Sequence, residues 1–165
     1  MPQPIYIICS QSGVRDAQTG FFSYFHVVEK LVLRRVRIHE PTSRPIIIPS
    51  VPLRISAVWK RGEDESSNQE FEHETLLVLP NQQELRVGSG TFRFDGERQH
   101  IAVDVKHYML PGPGTIRAIN RIRNVGEQEW ISQEYPILAV VDPSEPTELS
   151  GTLSVKSENG DDNPK

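Results

Sequence analysis

Alternation of apolar and polar residues with a period of two is the feature that most constrains the fold of this 165-residue chain. In LRISAVWK, residues 53–60, four apolar residues fall on one predicted inward face, and Arg54, Ser56 and Lys60 fall on the other. About eight such segments, with turn signals roughly every ten residues, predict an all-β, single-domain antiparallel β-sandwich, immunoglobulin-like or C2-like. No pattern typical of the crossover helices of a parallel α/β sheet is evident.

One long segment leaves its secondary structure open. Residues 19–38, TGFFSYFHVVEKLVLRRVRI, are rich in aromatic and β-branched residues, which favour strands, with a break near Glu29. The spacing of four apolar residues in this segment also fits a helix. Residues 27–38 are therefore either strand or helix.

A change of phase marks the segment ELRVGSGTFRF, residues 84–94. Its apolar residues are odd-numbered at Leu85 and even-numbered at Phe92. Because a period of two cannot change phase without an extra residue, we expect a β-bulge at Gly88-Ser89-Gly90.

The charge of the chain is unevenly distributed. The net charge of −4 is carried by residues 142–165, and residues 1–141 are neutral overall. We therefore expect a domain at 1–141 followed by an acidic, largely disordered tail, in which GTLSV (151–155) can add a short strand. A domain without net positive charge is not expected to bind nucleic acid. No apolar run approaches the ~20 residues that span a bilayer, so no membrane contact is expected.

The stretch IRAINRIRNVGEQEW, residues 116–130, is predicted to be a hairpin that balances its own charges. A three-residue loop at 124–126 would place Gly126 in the left-handed position that this loop type favours. The cross-strand pairs of this register are Arg121–Glu129, Arg123–Glu127 and Ile119–Ile131. Trp130 then joins the apolar face of the hairpin, opposite Asn120. Opposite charges on paired strands favour a register without implying a function.

The residues that could act in catalysis have structural interpretations. Cys9 lies in an apolar strand, and free cysteine is among the most buried residue types, so we expect it in the core. A single cysteine fits a reducing compartment, and the chain is predicted to be cytoplasmic. No Gly-x-Ser-x-Gly elbow is present, so no catalytic residue is assigned and an enzyme is not expected.

Acidic loops are the candidate ligand site. Glu63, Asp64, Glu65 and Asp95 can bind calcium or a small ligand if their loops converge at one end of the sandwich, together with residues 111–114. No metal-binding or cofactor-binding motif supports this site, and a solvated loop is the competing interpretation. No cofactor is expected.

Four segments, DAQTGFFSYFHVVEKL, LRISAVWKRG, LVLPNQQEL and PGPGTIRAINRIRNVGEQEWISQEYPILAVV, resemble an uncharacterised family of small bacterial β-sandwich proteins, domains of unknown function. The resemblance covers residues 4–141. Its motifs are a turn at Thr19-Gly20, a proline–glycine entry to a late strand and a tryptophan in the final hairpin. It implies the sandwich fold and nothing about catalysis.

The sequence thus predicts a non-enzymatic β-sandwich that acts through protein contacts, with a protein partner or as a homo-oligomer. The alternative is a sandwich that binds a small ligand or calcium in its loops. A hydrolase built on Cys9 and a histidine is the third hypothesis.

Overall fold

The computed structural model describes residues 1–19, 22–37, 46–49, 52–105, 110–143 and 147–148. These residues form eleven strands, of which two have only four and two residues. In chain order the strands are β1 Gln3–Arg15, β2 Phe22–Val27, β3 Lys30–Arg37, β4 Ile46–Pro49, β5 Leu53–Lys60, β6 Glu70–Val78, β7 Glu84–Arg93, β8 Arg98–Val105, β9 Gly114–Asn124, β10 Ile131–Val141 and β11 Thr147–Glu148.

The strands form two sheets. The first is antiparallel with the order β2-β1-β5-β8, and the second has the order β11-β3-β10-β9-β6-β7, with β4 paired to β3. The expectation of an all-β chain is confirmed for the described residues, which contain no helix. Consequently, none of these residues belongs to a helix with the length and hydropathy needed to cross a membrane.

The second sheet is mixed, so the prediction of a wholly antiparallel sandwich is wrong. β3 pairs in parallel with β10, from Lys30 opposite Leu138 to Leu33 opposite Val141, and β11 also runs parallel to β3. Parallel neighbours need a long connection, which is usually a helix. Here the connection from β3 to β10 is made of strands in both sheets, which is why the absence of helical patterns was a poor argument against parallel pairing.

The segment that was open between strand and helix is extended. β2 ends at Val27 and β3 begins at Lys30, and residue 38 lies outside the described residues. β2 belongs to the first sheet and β3 to the second, so the chain crosses between the sheets at Val28 and Glu29. The backbone N–H of Val28 donates to the carbonyl of Cys9 at 2.8 Å, which fixes this crossing against β1.

The hydrophobic core lies between the two sheets. Strand β5 contributes the four inward residues that its alternation predicts, and Trp59 is completely buried. The same core receives residues from the facing strands of the second sheet, namely Leu31, Leu33, Phe71, Leu77, Ile116, Ala118, Ile122, Ile137 and Ala139. The burial of these side chains holds the two sheets together.

The outer face of the first sheet is also partly covered. Ser56, predicted to face solvent, is completely buried. On this face the hydroxyl of Tyr24 on β2 lies 3.1 Å from Nε2 of His100 on β8, so its side chain reaches over the sheet. A period of two gives the direction of a side chain but not what covers it.

A buried polar network joins the sheets. The indole N–H of Trp59 on β5 donates to Oδ1 of Asn120 on β9 at 2.7 Å. Nδ2 of Asn120 donates to Oγ1 of Thr75 at 2.8 Å and to the carbonyl of Glu74 at 3.3 Å. Asn120 and Thr75 are both buried, so each of these polar groups is stabilised by the others away from water.

The phase change in β7 comes from Val87 and not from residues 88–90. Thr75 lies opposite Gly88 and Leu76 lies opposite Arg86, so Val87 is the extra residue. Gly88 has a different role. A β-carbon on Gly88 would lie 2.7 Å from the side chain of Val103 on β8, so the close approach of the two strands requires glycine.

The register predicted for the β9–β10 hairpin is wrong. Ile122 lies opposite Ile131 and Arg121 lies opposite Ser132, which lengthens the connection to residues 125–130. Trp130 therefore lies in the loop instead of in a strand opposite Asn120. Arg121 pairs with Glu74 on β6 rather than with Glu129. Glu74 is 47 residues away from Arg121 in sequence, so rules for pairing within a hairpin do not consider it.

Part of the predicted tail lies outside the described residues. Residues 144–146 and 149–165, including GTLSV, lie outside the described residues. Gly20 of the turn predicted at residues 19–20 also lies outside them. Within the acidic segment, Thr147 and Glu148 form β11 against Val36 and Arg37.

We expect Asn120 and Trp59 to be energetically coupled. Asn120→Leu should cost about 2–4 kcal/mol of unfolding free energy because it leaves the Trp59 indole and the Thr75 hydroxyl unpaired. Adding Trp59→Phe removes one orphaned donor, so urea denaturation of the double mutant should show a coupling of about 1 kcal/mol or more. Trp130→Phe is the matched control and should add to Asn120→Leu independently. Coupling of Asn120→Leu to Trp130→Phe, together with additivity to Trp59→Phe, would instead support the register predicted from the sequence.

Gly126 is expected to resist substitution through backbone strain. It has φ +89°, in a turn in which the N–H of Glu127 donates to the carbonyl of Asn124 at 3.1 Å. No atom lies within 4 Å of a β-carbon built there, so strain is isolated from steric clash. Gly126→Val should cost about 1 kcal/mol or more. Gly96→Val, also in open space but without a positive φ, should cost less, and equal losses in thermal unfolding would contradict the strain argument.

Candidate functional site

A cleft of about 360 Å³ opens on the outer face of the first sheet. Its lining residues are Tyr6, Arg15, Phe22, Val58, Asp95, Arg98, Gln99 and His100. They come from β1, β2, β5, β8 and the turn before β8, so the pairing of four strands is needed to assemble the cleft. Its volume lies at the lower end of the ~300–1,000 Å³ typical of small-molecule sites.

An aromatic wall forms one side of the cleft. The hydroxyl of Tyr24 lies 3.1 Å from the hydroxyl of Tyr6 and 3.1 Å from Nε2 of His100, so one hydrogen-bonded chain links β1, β2 and β8. The ring of Phe22 packs on the imidazole of His100 with 3.7 Å between centroids. Packing and hydrogen bonds together fix the rings, so the wall is pre-formed.

His100 is neutral within this wall at physiological pH. Burial, with the positive charges of Arg54 and Arg15 adding to it, lowers the pKa of His100 to about 4. Burial also raises the pKa of Tyr24, and its hydrogen bond to Tyr6 acts in the same direction. Neither group is therefore charged near pH 7, and the wall contributes hydrogen bonds and apolar surface.

Positive charge is concentrated at one end of the β5–β8 ladder. At the other end Arg54 faces Asp104, with 3.0 Å between Nη1 and Oδ1. At the cleft end Lys60 lies directly opposite Arg98, and neither forms an ion pair with another described residue. Like charges directly opposite each other destabilise a ladder. Arg15, whose guanidinium carbon is 5.6 Å from the centroid of Phe22, adds a further positive charge to the cleft.

The acidic residues predicted as a ligand site do not form one cluster. Asp95 lines the cleft beside the arginines. Glu65 turns into its own loop, where its carboxylate accepts the N–H of Gly62 at 2.7 Å and lies 3.4 Å from the amino group of Met1. Its side chain is only 6% exposed, so it is occupied by the loop itself. Among the described residues, no three His, Cys, Asp or Glu side chains are grouped so as to hold a metal ion.

Two arginines of β9 and one of β7 pair with glutamates of β6. Arg121 contacts Oε2 of Glu74 at 2.6 Å, Arg86 contacts Oε1 of the same carboxylate at 3.1 Å, and Arg123 contacts Glu72 at 2.6 Å. The hydrogen bond from Arg121 is the main cause of a lowered pKa of Glu74. On this face the three arginines are therefore ion-paired to glutamates within the sheet.

Trp130 packs against this ladder. The guanidinium carbons of Arg121 and Arg123 lie 4.7 and 4.3 Å from the centroid of its ring. Such cation–π contacts contribute about 0.5–1 kcal/mol at exposed sites. Trp130 is thus held by the arginines instead of by the apolar face to which the sequence assigned it, and Glu129 is exposed in the same loop.

Cys9 is unsuited to nucleophilic chemistry. It is completely buried in the core, and burial raises the pKa of its thiol to about 12. The thiolate is the reactive form, so both its burial and its raised pKa disfavour Cys9 as a nucleophile.

Sequence reasoning identified Asp95 but not the rest of the cleft. Arg15, Arg98 and His100 are single residues in separate strands, and no local motif connects them. The available signal was the outward position of Lys60 in an alternating strand, but its partner depends on the pairing of β5 with β8.

Searches of protein-family models and of curated proteins find no match to this sequence.

We expect Glu74 to stabilise the fold in a pH-dependent manner. Glu74→Gln should cost about 1–2 kcal/mol at pH 7, because two arginines lose a charged partner whose side chain is only 17% exposed. Since the folded pKa of Glu74 is lowered, this stability is fully present above the ordinary glutamate pKa of about 4.3 and is lost as pH falls below it.

The matched control for Glu74 is Glu129→Gln. This exposed carboxylate forms no ion pair within the described part of the chain, so its replacement should leave stability within about 0.5 kcal/mol. Chemical denaturation of both variants between pH 3 and pH 7 makes the comparison. A larger loss for Glu129→Gln would indicate that the hairpin pairs its own charges.

Proposed function

We propose that this protein is a non-enzymatic binding module that takes a small anionic ligand in the cleft on the outer face of its first sheet. The observation that carries the proposal is that Arg98, which lines the cleft, lies opposite Lys60, and neither forms an ion pair with another described residue. An anion bound at the cleft end of the ladder would remove their mutual repulsion. The proposal is closest to the small-ligand alternative, although its site is on a sheet face instead of in converging loops.

The composition of the cleft supports an anion over a cation. Arg15 and Arg98 line it against one carboxylate, Asp95, and the pKa of His100 keeps that residue neutral. Arginine presents several N–H donors in a planar fork that suits carboxylate and phosphate groups. Both arginines are exposed, so they are free to adjust to a ligand.

The titratable groups beside the cleft support a binding role without catalysis. General acid–base chemistry needs a pKa near the working pH. In the cleft, the pKa of His100 is lowered and that of Tyr24 is raised, so both lie well away from neutrality. The positions of the two arginines are consistent with recognition of charge.

We further propose that the sandwich is immunoglobulin-like or C2-like, which is supported by two sheets with buried apolar clusters. Membership of the small bacterial β-sandwich family is likewise a proposal, supported by the quoted sequence segments. A cytoplasmic location is supported by the single buried, unpaired cysteine.

A second candidate function is contact with a protein partner through β2. This strand ends the described part of the first sheet, and its hairpin with β1 exposes Val14, Phe25 and Val27 by 58%, 45% and 46%. A terminal strand with exposed apolar side chains can add a strand from another chain. Analytical ultracentrifugation tests the homo-oligomeric form of this proposal, and Phe25→Ser should shift a self-association equilibrium towards monomer.

Millimolar inorganic phosphate should stabilise the wild-type protein beyond sodium chloride of equal ionic strength. A ligand at 100 times its Kd adds about 2.7 kcal/mol, which thermal shift detects. Arg98→Gln should abolish the phosphate effect while leaving stability without phosphate unchanged or higher by a few tenths of a kcal/mol, because the repulsion with Lys60 is removed.

Two variants serve as controls for this experiment. Arg93→Gln, an exposed arginine on β7, should retain the phosphate response. Asp95→Asn should increase it, because the one carboxylate lining the cleft loses its charge. A phosphate response that is unchanged in Arg98→Gln, or no response in the wild type, would contradict an anion site in the cleft.

A further inference from the structure

We infer that the ligand of the cleft carries a flat aromatic ring next to its phosphate or carboxylate group. This inference rests on the proposed anion site and adds the chemical class of the remainder of the ligand. It is carried by the aromatic and apolar surface of the cleft, which a bare anion would leave unused.

The surface beside the arginines is built for a ring. Tyr6, Phe22 and Val58 line the cleft together, and they come from three different strands. The ring of Tyr6 meets Tyr24 edge-on, at an interplanar angle of 85° with 6.2 Å between centroids, and 39% of Tyr6 remains exposed. Aromatic rings attract one another in edge-on and offset-stacked arrangements, so this exposed ring can pack against a second one.

Phe22 and Arg15 place the anion next to the ring. Phe22 is held from one side by His100 at 3.7 Å, and the guanidinium of Arg15 lies 5.6 Å from its centroid. The charged group that would bind the anion is thus adjacent to the aromatic wall. A ligand with both groups would contact Arg15 or Arg98 through its anion while its ring covers Tyr6.

The rigidity of the wall favours this arrangement. Tyr6, Tyr24 and His100 share one hydrogen-bonded chain, and Tyr24 packs nearly parallel to Phe22, at 14°. A pre-formed surface loses little conformational freedom on binding. Because His100 stays neutral, the wall does not itself attract the anion away from the arginines.

The test compares matched pairs of anions by isothermal titration calorimetry. Phenyl phosphate should bind the wild-type protein about tenfold more tightly than methyl phosphate, or benzoate about tenfold more tightly than acetate. A ring preference in the phosphate pair alone identifies a phosphate ligand, and a preference in the carboxylate pair alone identifies a carboxylate ligand. Either result supports the inference.

Variants separate the ring from the anion. Tyr6→Leu should reduce the ring preference to about threefold or less while methyl phosphate affinity is retained. Phe25→Ser, which alters an exposed aromatic residue of the same hairpin outside the cleft, should keep the full preference. Arg98→Gln should weaken both members of each pair.

The possible failures are distinguishable. If methyl phosphate binds in an Arg98-dependent manner but phenyl phosphate binds no more tightly, the ring inference is overturned and the anion site stands. If a ring preference exists but survives Tyr6→Leu, the aromatic wall is not its origin and the inference is also overturned. If none of the four anions binds, the proposed function itself fails.

Discussion

The hydrogen bond from Trp59 to Asn120 is the interaction on which the arrangement of the two sheets depends. Apolar burial attracts the sheets but is not directional, so many relative positions would bury similar area. A buried amide, by contrast, is costly unless its partners are in place. Asn120 finds one partner on β5 and two on β6, which fixes β9 against both the facing sheet and its neighbour. The position of β5 in turn sets the cleft, because β5 lies between β1 and β8.

The sequence predicted what depends on local spacing. The inward set of β5 and the presence of an extra residue in β7 follow from period-two alternation. Residues 27–38, whose apolar spacing fits both a strand and a helix, were left open by the sequence. The partners of the strands did not follow. Arg121 was assigned to Glu129, eight residues away, but it pairs with Glu74 because β6 lies beside β9. Local charge matching could not rank these alternatives, since each places a carboxylate opposite an arginine and their difference lies in burial.

The candidate site was beyond sequence reasoning for the same physical reason. The sequence predicts that Lys60 faces outward. Only the pairing of β5 with β8 shows that a second positive charge, Arg98, lies opposite it instead of an acid. Only Asp95 was identified in advance, and for a different chemistry. The overall neutrality of residues 1–141 predicts no broad basic surface, yet a neutral domain can still hold a small group of like charges. Net charge describes long-range attraction, whereas a ligand site depends on a few side chains within contact distance.

The contrast within the β5–β8 ladder is the strongest argument that the cleft is functional. Arg54 faces Asp104 at one end, so the ladder can accommodate a matched pair in this geometry. At the other end Lys60 faces Arg98, and one acidic residue at either position would have gained the same stabilisation. Elsewhere on the molecule, Arg117, Arg121 and Arg123 each meet a glutamate. An unmatched pair beside a pre-formed aromatic wall therefore has a local cost that a bound anion would offset, and a strictly structural ladder provides no such compensation.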